Sequence, residues 1–205
     1  MAVDTAQRIL GAACDLIAED GIDEVRIARV AQRAGASTAL VHHYFKTREE
    51  LLEQALIHSF EQAGDERFGG EATASGSATE ALATAIRESL PYPGAQHQEW
   101  VLWVELWLRA VRDPDLRPVA VRMYERYREW MSGVIGAGVE SGEFAAGTDV
   151  DAAAELAIAL LDGARVRALF EDPAMDVEGA RARARARCTA RLSRRACAQS
   201  PRAVS

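Results

Sequence analysis

The chain has 205 residues, of which 49% are hydrophobic and 27% charged. This length is enough for one large or two small domains with a hydrophobic core, and the composition excludes disorder over most of the chain. The first residues lack the pattern of a secretory signal, and no apolar run approaches the roughly 20 residues that span a bilayer, so no membrane partner is expected. Three cysteines without metal-ligand spacing fit a reducing compartment, and a cytoplasmic location is predicted.

The net charge of −7 is distributed unevenly. Residues 1–48 hold equal numbers of basic and acidic side chains, residues 49–180 have a large acidic excess, and residues 181–205 contain arginines but no acid. An acidic body stays soluble and is repelled by nucleic acid, so a nucleic-acid partner is expected to contact the N-terminal segment.

Apolar residues recur at helical spacing along the chain, and alternating strand patterns are lacking, which predicts an all-α fold. Three short helices are expected first: one that stops at Gly21, one over residues 27–34, and one capped by Ser37. Thr47 with Glu50 forms a capping box that opens a fourth helix.

The remaining helices are separated by turn-forming residues. A connection around residues 64–76 precedes a helix that a capping box of Ser77 and Glu80 should open, and Pro91 and Pro93 end it. A Trp-rich helix, a long helix after residues 113–114, a helix capped by Thr148 or Asp149, and a last helix from about residue 176 follow. The arginines after residue 180 alternate with alanine and give no core-facing stripe, which predicts a frayed tail.

The segment between Ile27 and Phe45 has the arrangement of a helix-turn-helix, in which Gly35 permits the sharp turn. Either Leu40 or Val41, together with Phe45, anchors the second helix. Four of its side chains then point outward, where they could meet the edges of bases. These are Thr38, Ala39, His42 and His43.

Other interpretations of the chain are weaker or lack support. The two histidines could be surface residues of any helical bundle, and Arg26, Arg29 and Arg33 could form a solvated face, as in a helical protein-interaction module. The chain has no nucleophile elbow, HExxH, phosphate-binding loop or Cys/His cluster, so an enzyme, a metal site and a cofactor are not predicted.

The stretch from Gly21 to Leu52 resembles the DNA-binding domain of the tetracycline-repressor (TetR) family. The resemblance lies in the glycine after helix one, the Ala-Gly-Ala-Ser turn, the aromatic end of helix three, and the basic residue ahead of Leu51. The Trp-rich segment, Asp113-Pro114 and Gly142-Glu143-Phe144 are similar to the ligand-sensing half of the choline-responsive, BetI-like branch of that family.

The resemblance implies a homodimeric repressor of all-α fold with three parts. Residues 1–47 would form a three-helix helix-turn-helix domain, residues 48–180 a larger helical domain for effector binding and dimerisation, and residues 181–205 a tail. Each subunit would place its third helix in a major groove of double-stranded DNA at a palindromic operator. The last two long helices would form the dimer interface, and an unknown small-molecule effector would release the DNA.

The resemblance also implies which residues meet DNA. The recognition helix would use Thr38, Ala39, Leu40 and His43. The phosphate backbone would be reached from both sides of that helix. The residues at these positions are Arg26, His42, Tyr44, Lys46 and Arg48, of which His42 and Tyr44 stand where the family usually has tyrosine and histidine.

Large rings are concentrated in the C-terminal half, and two interpretations of them stay open. Aromatic side chains at helical spacing usually pack a core. They could also line a pocket for a planar or cationic effector. The candidate pocket residues are Trp103, Trp107, Met123, Tyr127 and Leu160.

Overall fold

The computed structural model describes residues 2–68 and 76–192, with side chains over residues 5–62 and 76–192. Within these ranges the chain forms nine α-helices, one 3-10 turn and no strand, which confirms the predicted fold class. The 3-10 turn is Ile22–Glu24. In chain order the helices are α1 (Ala2–Asp20), α2 (Ile27–Arg33), α3 (Thr38–Tyr44), α4 (Arg48–Phe68), α5 (Ala78–Glu88), α6 (Ala95–Arg112), α7 (Arg117–Glu140), α8 (Val150–Leu169) and α9 (Val177–Leu192).

The chain divides into two compact units. The first contains Met1–Gly70 and Pro91–Tyr127, and the second contains Glu71–Leu90 and Arg128–Ser205. Helix α7 therefore begins in the first unit and ends in the second. The predicted boundary between residues 47 and 48 coincides with the start of α4, inside the first unit, and it remains a prediction.

The first unit is built on α1, whose apolar residues fall on one stripe. That stripe is buried, as is the facing stripe of α4. Burying each large aliphatic side chain contributes about 1.5–3 kcal/mol relative to leaving it exposed. The buried residues of the two stripes are Ile9, Ala13, Leu16 and Ile17 on α1, and Leu51, Leu52, Ala55, Leu56 and Phe60 on α4.

A thiol joins the same two helices. The Sγ of Cys14 on α1 donates a hydrogen bond of 3.1 Å to the carbonyl oxygen of Ala55 on α4. Burial raises the pKa of this thiol to about 12, so it stays protonated and serves as a donor near neutral pH.

The second unit contains α5, the end of α7, α8 and α9. Arg165 on α8 is fully buried, and its guanidinium is satisfied by the carbonyl oxygen of Ser89, 3.0 Å away at the C-terminal end of α5, and by Asp162 at 2.7 Å. A buried cation at the negative end of a helix dipole is favourable when its donors are paired. Asp149 caps α8 by accepting from the backbone N–H of Ala152 at 3.0 Å, which decides between the two caps, Thr148 and Asp149, that the sequence leaves open.

The expected capping box at the start of α5 is wrong. Ser77 makes no side-chain capping bond to α5. Its hydroxyl donates instead to Glu143, whose carboxylate also accepts from the backbone N–H groups of Ala78 at 2.8 Å and Thr79 at 3.1 Å. A carboxylate 65 residues away in sequence therefore caps this helix, which local sequence patterns cannot predict.

The expectation of a frayed tail is wrong for residues 181–192, which belong to α9. Every fourth residue of this helix is buried and together they form a narrow stripe. The stripe escapes notice in the sequence because it is made of small side chains set among arginines. It consists of Ala180, Ala184, Cys188 and Leu192. Residues 193–205 of the predicted tail lie outside the described residues.

Candidate nucleic-acid interface

The helix-turn-helix is held by backbone and capping interactions in its turn. Gly35 has a φ of +61°, a conformation that glycine adopts without steric cost. The N–H of Ala36 then bonds the carbonyl oxygen of Ala31 at 2.9 Å and closes the end of α2. Ser37 opens α3, because its hydroxyl oxygen accepts from the N–H of Leu40 at 3.1 Å. The turn fixes α3 against the rest of the bundle.

The anchor of α3 is Val41 rather than Leu40, which resolves the alternative that the sequence leaves open. Val41 is fully buried and Phe45 nearly so, whereas Leu40 is half-buried. Val30 and Ala31 supply the facing buried side chains of α2. With this face inward, the opposite side of α3 faces solvent.

The outward side of α3 carries polar side chains that are free to approach a ligand. Thr38, Ala39, His42 and His43 are all exposed. Tyr44 is half-buried, and its ring lies edge-on to His43, with centroids 5.3 Å apart. These residues offer donors, acceptors and one methyl-sized contact along a single helix face, which is the chemistry that reads base edges in a major groove.

Exposed cationic side chains precede α2 and follow α3 in the sequence. Arg26 is exposed at the position before α2 and donates to the carbonyl oxygen of Asp23 at 2.6 Å. Lys46 is exposed immediately after α3, and within the described part of the chain its ammonium has no ion-pair partner. Cationic side chains commonly contact phosphates, and contact of Arg26 and Lys46 with the DNA backbone remains a prediction.

Arg48 has a structural role that the sequence does not reveal. Its Nε donates to the carbonyl oxygen of Val25 at 2.7 Å, and its Nη2 donates to those of Ile22 at 2.7 Å and Asp23 at 3.0 Å. The side chain is only 27% exposed. The first residue of α4 therefore holds the loop that leads into α2, and phosphate contact by Arg48 remains a prediction.

The other arginines of α2 are engaged with α1. Arg33 makes two hydrogen bonds to the carboxylate of Glu19, at 3.0 and 2.7 Å, and Arg29 pairs with Asp20 at 2.8 Å. The hydrogen bonds from Arg33 lower the pKa of Glu19. These ion pairs tie α2 to α1.

The ring cluster of the first unit is closely packed. Trp103, Met123 and Tyr127 are buried, and the ring centroids of Trp103 and Trp100 lie 4.4 Å apart. Trp107 is half-buried and stacks on Tyr124, with centroids 5.8 Å apart. The fifth candidate pocket residue, Leu160, belongs to the second unit and is exposed on α8.

The described residues contain no group of three or more histidine, cysteine, aspartate or glutamate side chains able to hold a metal ion. No helix in these ranges has the length and apolar character needed to cross a membrane.

A helix-turn-helix with an exposed second helix, joined to a larger helical body, defines a class of DNA-binding regulators. Comparison with known families agrees with this class. Residues 9–55 match the model of bacterial regulatory proteins of the tetR family, and residues 78–193 match the C-terminal domain of BetI-type transcriptional repressors. The chain belongs to the TetR family of transcriptional regulators and has a BetI-type C-terminal domain; it is not an enzyme.

Individual relatives are similar at moderate identity. The fatty acid metabolism regulator protein of Bacillus subtilis is 27% identical over 76% of this chain and 78% of its own length. The regulator BetI of Klebsiella pneumoniae is 28% identical, over 54% of this chain and 57% of that protein. A transcriptional regulator from Saccharomonospora viridis, crystallised in complex with choline, superimposes with a TM-score of 0.79 at 28% identity, covering 89% of this chain and 94% of that one.

Proposed function

We propose that this protein is a homodimeric repressor that binds a palindromic operator through α3 and releases it when a small effector binds the body. The observation that carries the proposal is the exposed face of α3, with Thr38, His42 and His43 between the cations Arg26 and Lys46. The acidic residues 49–180 keep the body away from phosphates, so DNA meets only the N-terminal helices. A regulator of this kind acts in the cytoplasm, where bacterial DNA lies.

A salt titration tests DNA binding. If several phosphates are neutralised, the affinity for a duplex falls steeply with salt, by about 10³-fold or more between ~50 and ~200 mM for six or more contacts. Fluorescence anisotropy with DNA taken from beside the protein's own gene measures this. A protein-interaction module would show no affinity for any duplex even at low salt, which would refute the proposal.

Dimerisation is proposed to use α8 and α9. Large apolar side chains of α8 and its C-terminal end are exposed in the single chain, notably Leu156 at 46% and Phe170 at 63%. Exposed apolar side chains clustered on one element typically mark an interface. Two subunits joined there would present their α3 helices to half-sites about 34–36 Å apart, or a multiple of that distance.

A matched pair of variants tests this interface. Leu156→Asp places a charge on α8 and should convert the dimer to a monomer in sedimentation analysis. Val121→Asp is the control, because Val121 is similarly exposed but lies on α7 in the first unit. Dissociation by both variants or by neither would contradict the assignment to α8 and α9.

The effector is proposed to bind within the first unit, at the cluster that contains Trp103, Trp107, Met123 and Tyr127. The choline complex of the Saccharomonospora viridis relative supports a cationic effector, since indole rings attract quaternary amines. The close packing of Trp103 on Trp100 favours the competing view that these rings only form a core.

Tryptophan fluorescence separates the two views. We expect choline to quench the emission and to lower DNA affinity, and its neutral analogue, with a tert-butyl group in place of trimethylammonium, to do neither. Equal responses to both compounds would exclude a cation–π site, and no response to either would leave the rings as core only.

A further inference from the structure

A cavity of about 560 Å³ lies inside the first unit, apart from the ring cluster. One wall is the end of α1 with the 3-10 turn, and the other is the C-terminal half of α6. Apolar side chains at the cavity come from both walls and include Ile22 and Leu108. The volume is in the range that holds small ligands.

Four charged side chains at this cavity have neither an ion-pair partner nor a hydrogen bond to their charged group among the described residues. They are two acids and two bases: Asp23 from the 3-10 turn, and Glu105, Arg109 and Arg112 from α6. Opposite charges that line one cavity gain energy when they pair, either with each other or with the charged groups of a ligand.

The remaining acids at the cavity are already engaged. Asp20 pairs with Arg29 at 2.8 Å, and the Oδ1 of Asp113 accepts from the backbone N–H of Asp115 at 2.9 Å. The charged groups without any such partner are therefore two negative and two positive, and Asp113 adds a negative charge that is hydrogen-bonded but has no ion pair.

Two of the four charges are also partly desolvated. Glu105 is half-buried, and its pKa is raised first by burial and further by the charge of Asp23, against the opposing effect of Arg109. The Nε of Arg109 is buried and lacks a hydrogen-bond partner in the described part of the chain. Leaving charged groups desolvated and unpaired costs free energy, which a ligand with complementary groups would recover.

We propose that this cavity binds a small amphoteric molecule that carries one cationic and one anionic group on a short apolar linker. The cation lies between Asp23 and Glu105, the anion bonds the guanidinium groups of Arg109 and Arg112, and the linker packs on Ile22. This site is separate from the effector site proposed above.

Hydrogen bonds connect the wall of this cavity to the residues around the start of α2. The carbonyl oxygens of Ile22 and Asp23, in the wall of the cavity, accept the hydrogen bonds of Arg48, and Asp23 also accepts from Arg26 just before α2. A ligand that shifts this loop moves the start of α2. Occupancy of the cavity is therefore coupled to DNA affinity.

Calorimetric titration of the full chain without DNA tests the site independently of repression. The probes are ω-amino acids of increasing length (glycine, β-alanine, γ-aminobutyrate and ε-aminocaproate), each compared with the amine and the carboxylate of the same length. At least one amino acid should bind about tenfold more tightly than either monofunctional compound, which corresponds to one additional ion pair. Absence of binding by the whole series at ~10 mM, or equal binding of the monofunctional compounds, would overturn the proposal.

Variants locate the binding. Glu105→Gln and Arg112→Gln should each weaken the best probe about tenfold, whereas Arg109→Lys should retain part of the affinity that Arg109→Gln loses. Glu125→Gln and Arg122→Gln, at exposed positions of α7 away from the cavity, are the controls. Arg112 is exposed, so its variant folds even if a change at Arg109 disturbs α6. Equal affinity of cavity and control variants would contradict the site.

Discussion

The Nη2 of Arg48 donates a hydrogen bond of 2.7 Å to the carbonyl oxygen of Ile22, and so joins the first residue of α4 to the loop that precedes α2. The guanidinium also bonds the carbonyl oxygens of Asp23 and Val25. Carbonyl oxygens in a short turn without helical partners need donors, and a charged donor satisfies several at once. Arg48 therefore acts as a positioning residue for the DNA-binding helices.

Substitution of Arg48 distinguishes positioning from phosphate contact. Arg48→Ala should cost about 2 kcal/mol of stability, because three charge-assisted hydrogen bonds are lost, and should weaken DNA binding without changing its salt dependence. Lys46→Ala is the comparison: it should leave stability unchanged and reduce the slope of log affinity against log salt by about one. Thermal unfolding and anisotropy at several salt concentrations measure both. A reduced slope with normal stability in Arg48→Ala would make Arg48 a phosphate ligand.

The exposed face of α3 should determine which sequence is bound. Thr38→Ala and His43→Ala are each expected to relax or alter the preference at one or two positions of the site, at a cost of about 1–3 kcal/mol for the preferred base. Selection from random duplexes gives the consensus for each variant. Gln7→Ala, an exposed change on α1, should keep the parental consensus. The same consensus for all three variants would show that α3 does not read bases.

The Glu143 carboxylate should make the second unit sensitive to acid. Hydrogen bonds from Ala78 and Thr79 lower its pKa from 4.5 to about 2. Because the folded-state pKa lies below the unfolded one, this stabilisation is complete above about pH 4.5 and is lost as the pH falls towards 2. Glu143→Gln should unfold more easily at neutral pH and should lose less stability on acidification than the parent.

Denaturant unfolding at several pH values between neutral and about pH 3 checks this effect. Glu140→Gln is the matched control, since Glu140 is an exposed glutamate at the end of α7. If Glu143→Gln and Glu140→Gln gave the same acid dependence as the parent, the capping role of Glu143 would be wrong.

Two glycines of α7 should respond oppositely to alanine. A Cβ at Gly138 would lie 2.2 Å from the ring of Phe144, which is itself buried, so Gly138→Ala should destabilise the protein by about 1–3 kcal/mol. A Cβ at Gly136 would meet nothing within 4 Å, and Gly136→Ala should stabilise the helix by about 0.5–1 kcal/mol. Thermal unfolding measures the stability of both variants. Equal changes in melting temperature would refute the packing of Phe144 on α7.

The sequence predicted the elements whose signals are local. Gly21 and Gly35 mark the ends of α1 and α2, and Ser37 marks the start of α3. The apolar spacing around Val41 orients α3. These signals work because capping and turn formation involve residues close in sequence. The helix-turn-helix and its exposed residues could therefore be placed without a structure.

The remaining features depend on residues distant in sequence. Glu143 replaces the expected cap at Ser77, and Arg48 turns inward to carbonyl groups 23 to 26 residues away. The cavity between the 3-10 turn and α6 likewise forms only when the two segments meet. The continuation of α9 through residues 181–192 was missed because a buried stripe made largely of alanine has little hydrophobic contrast with the residues around it.

The single lysine of the chain, Lys46, permits the most direct test of the interface. An amine-reactive ester labels this residue and the N-terminal amine, and mass spectrometry of the peptides separates the two. Duplex DNA at low salt should protect Lys46 several-fold and leave the N-terminal amine unchanged, and the protection should disappear at ~1 M salt, where phosphate contacts are lost. Equal labelling of Lys46 with and without duplex at low salt would contradict the central claim that α3 and its flanking cations bind DNA.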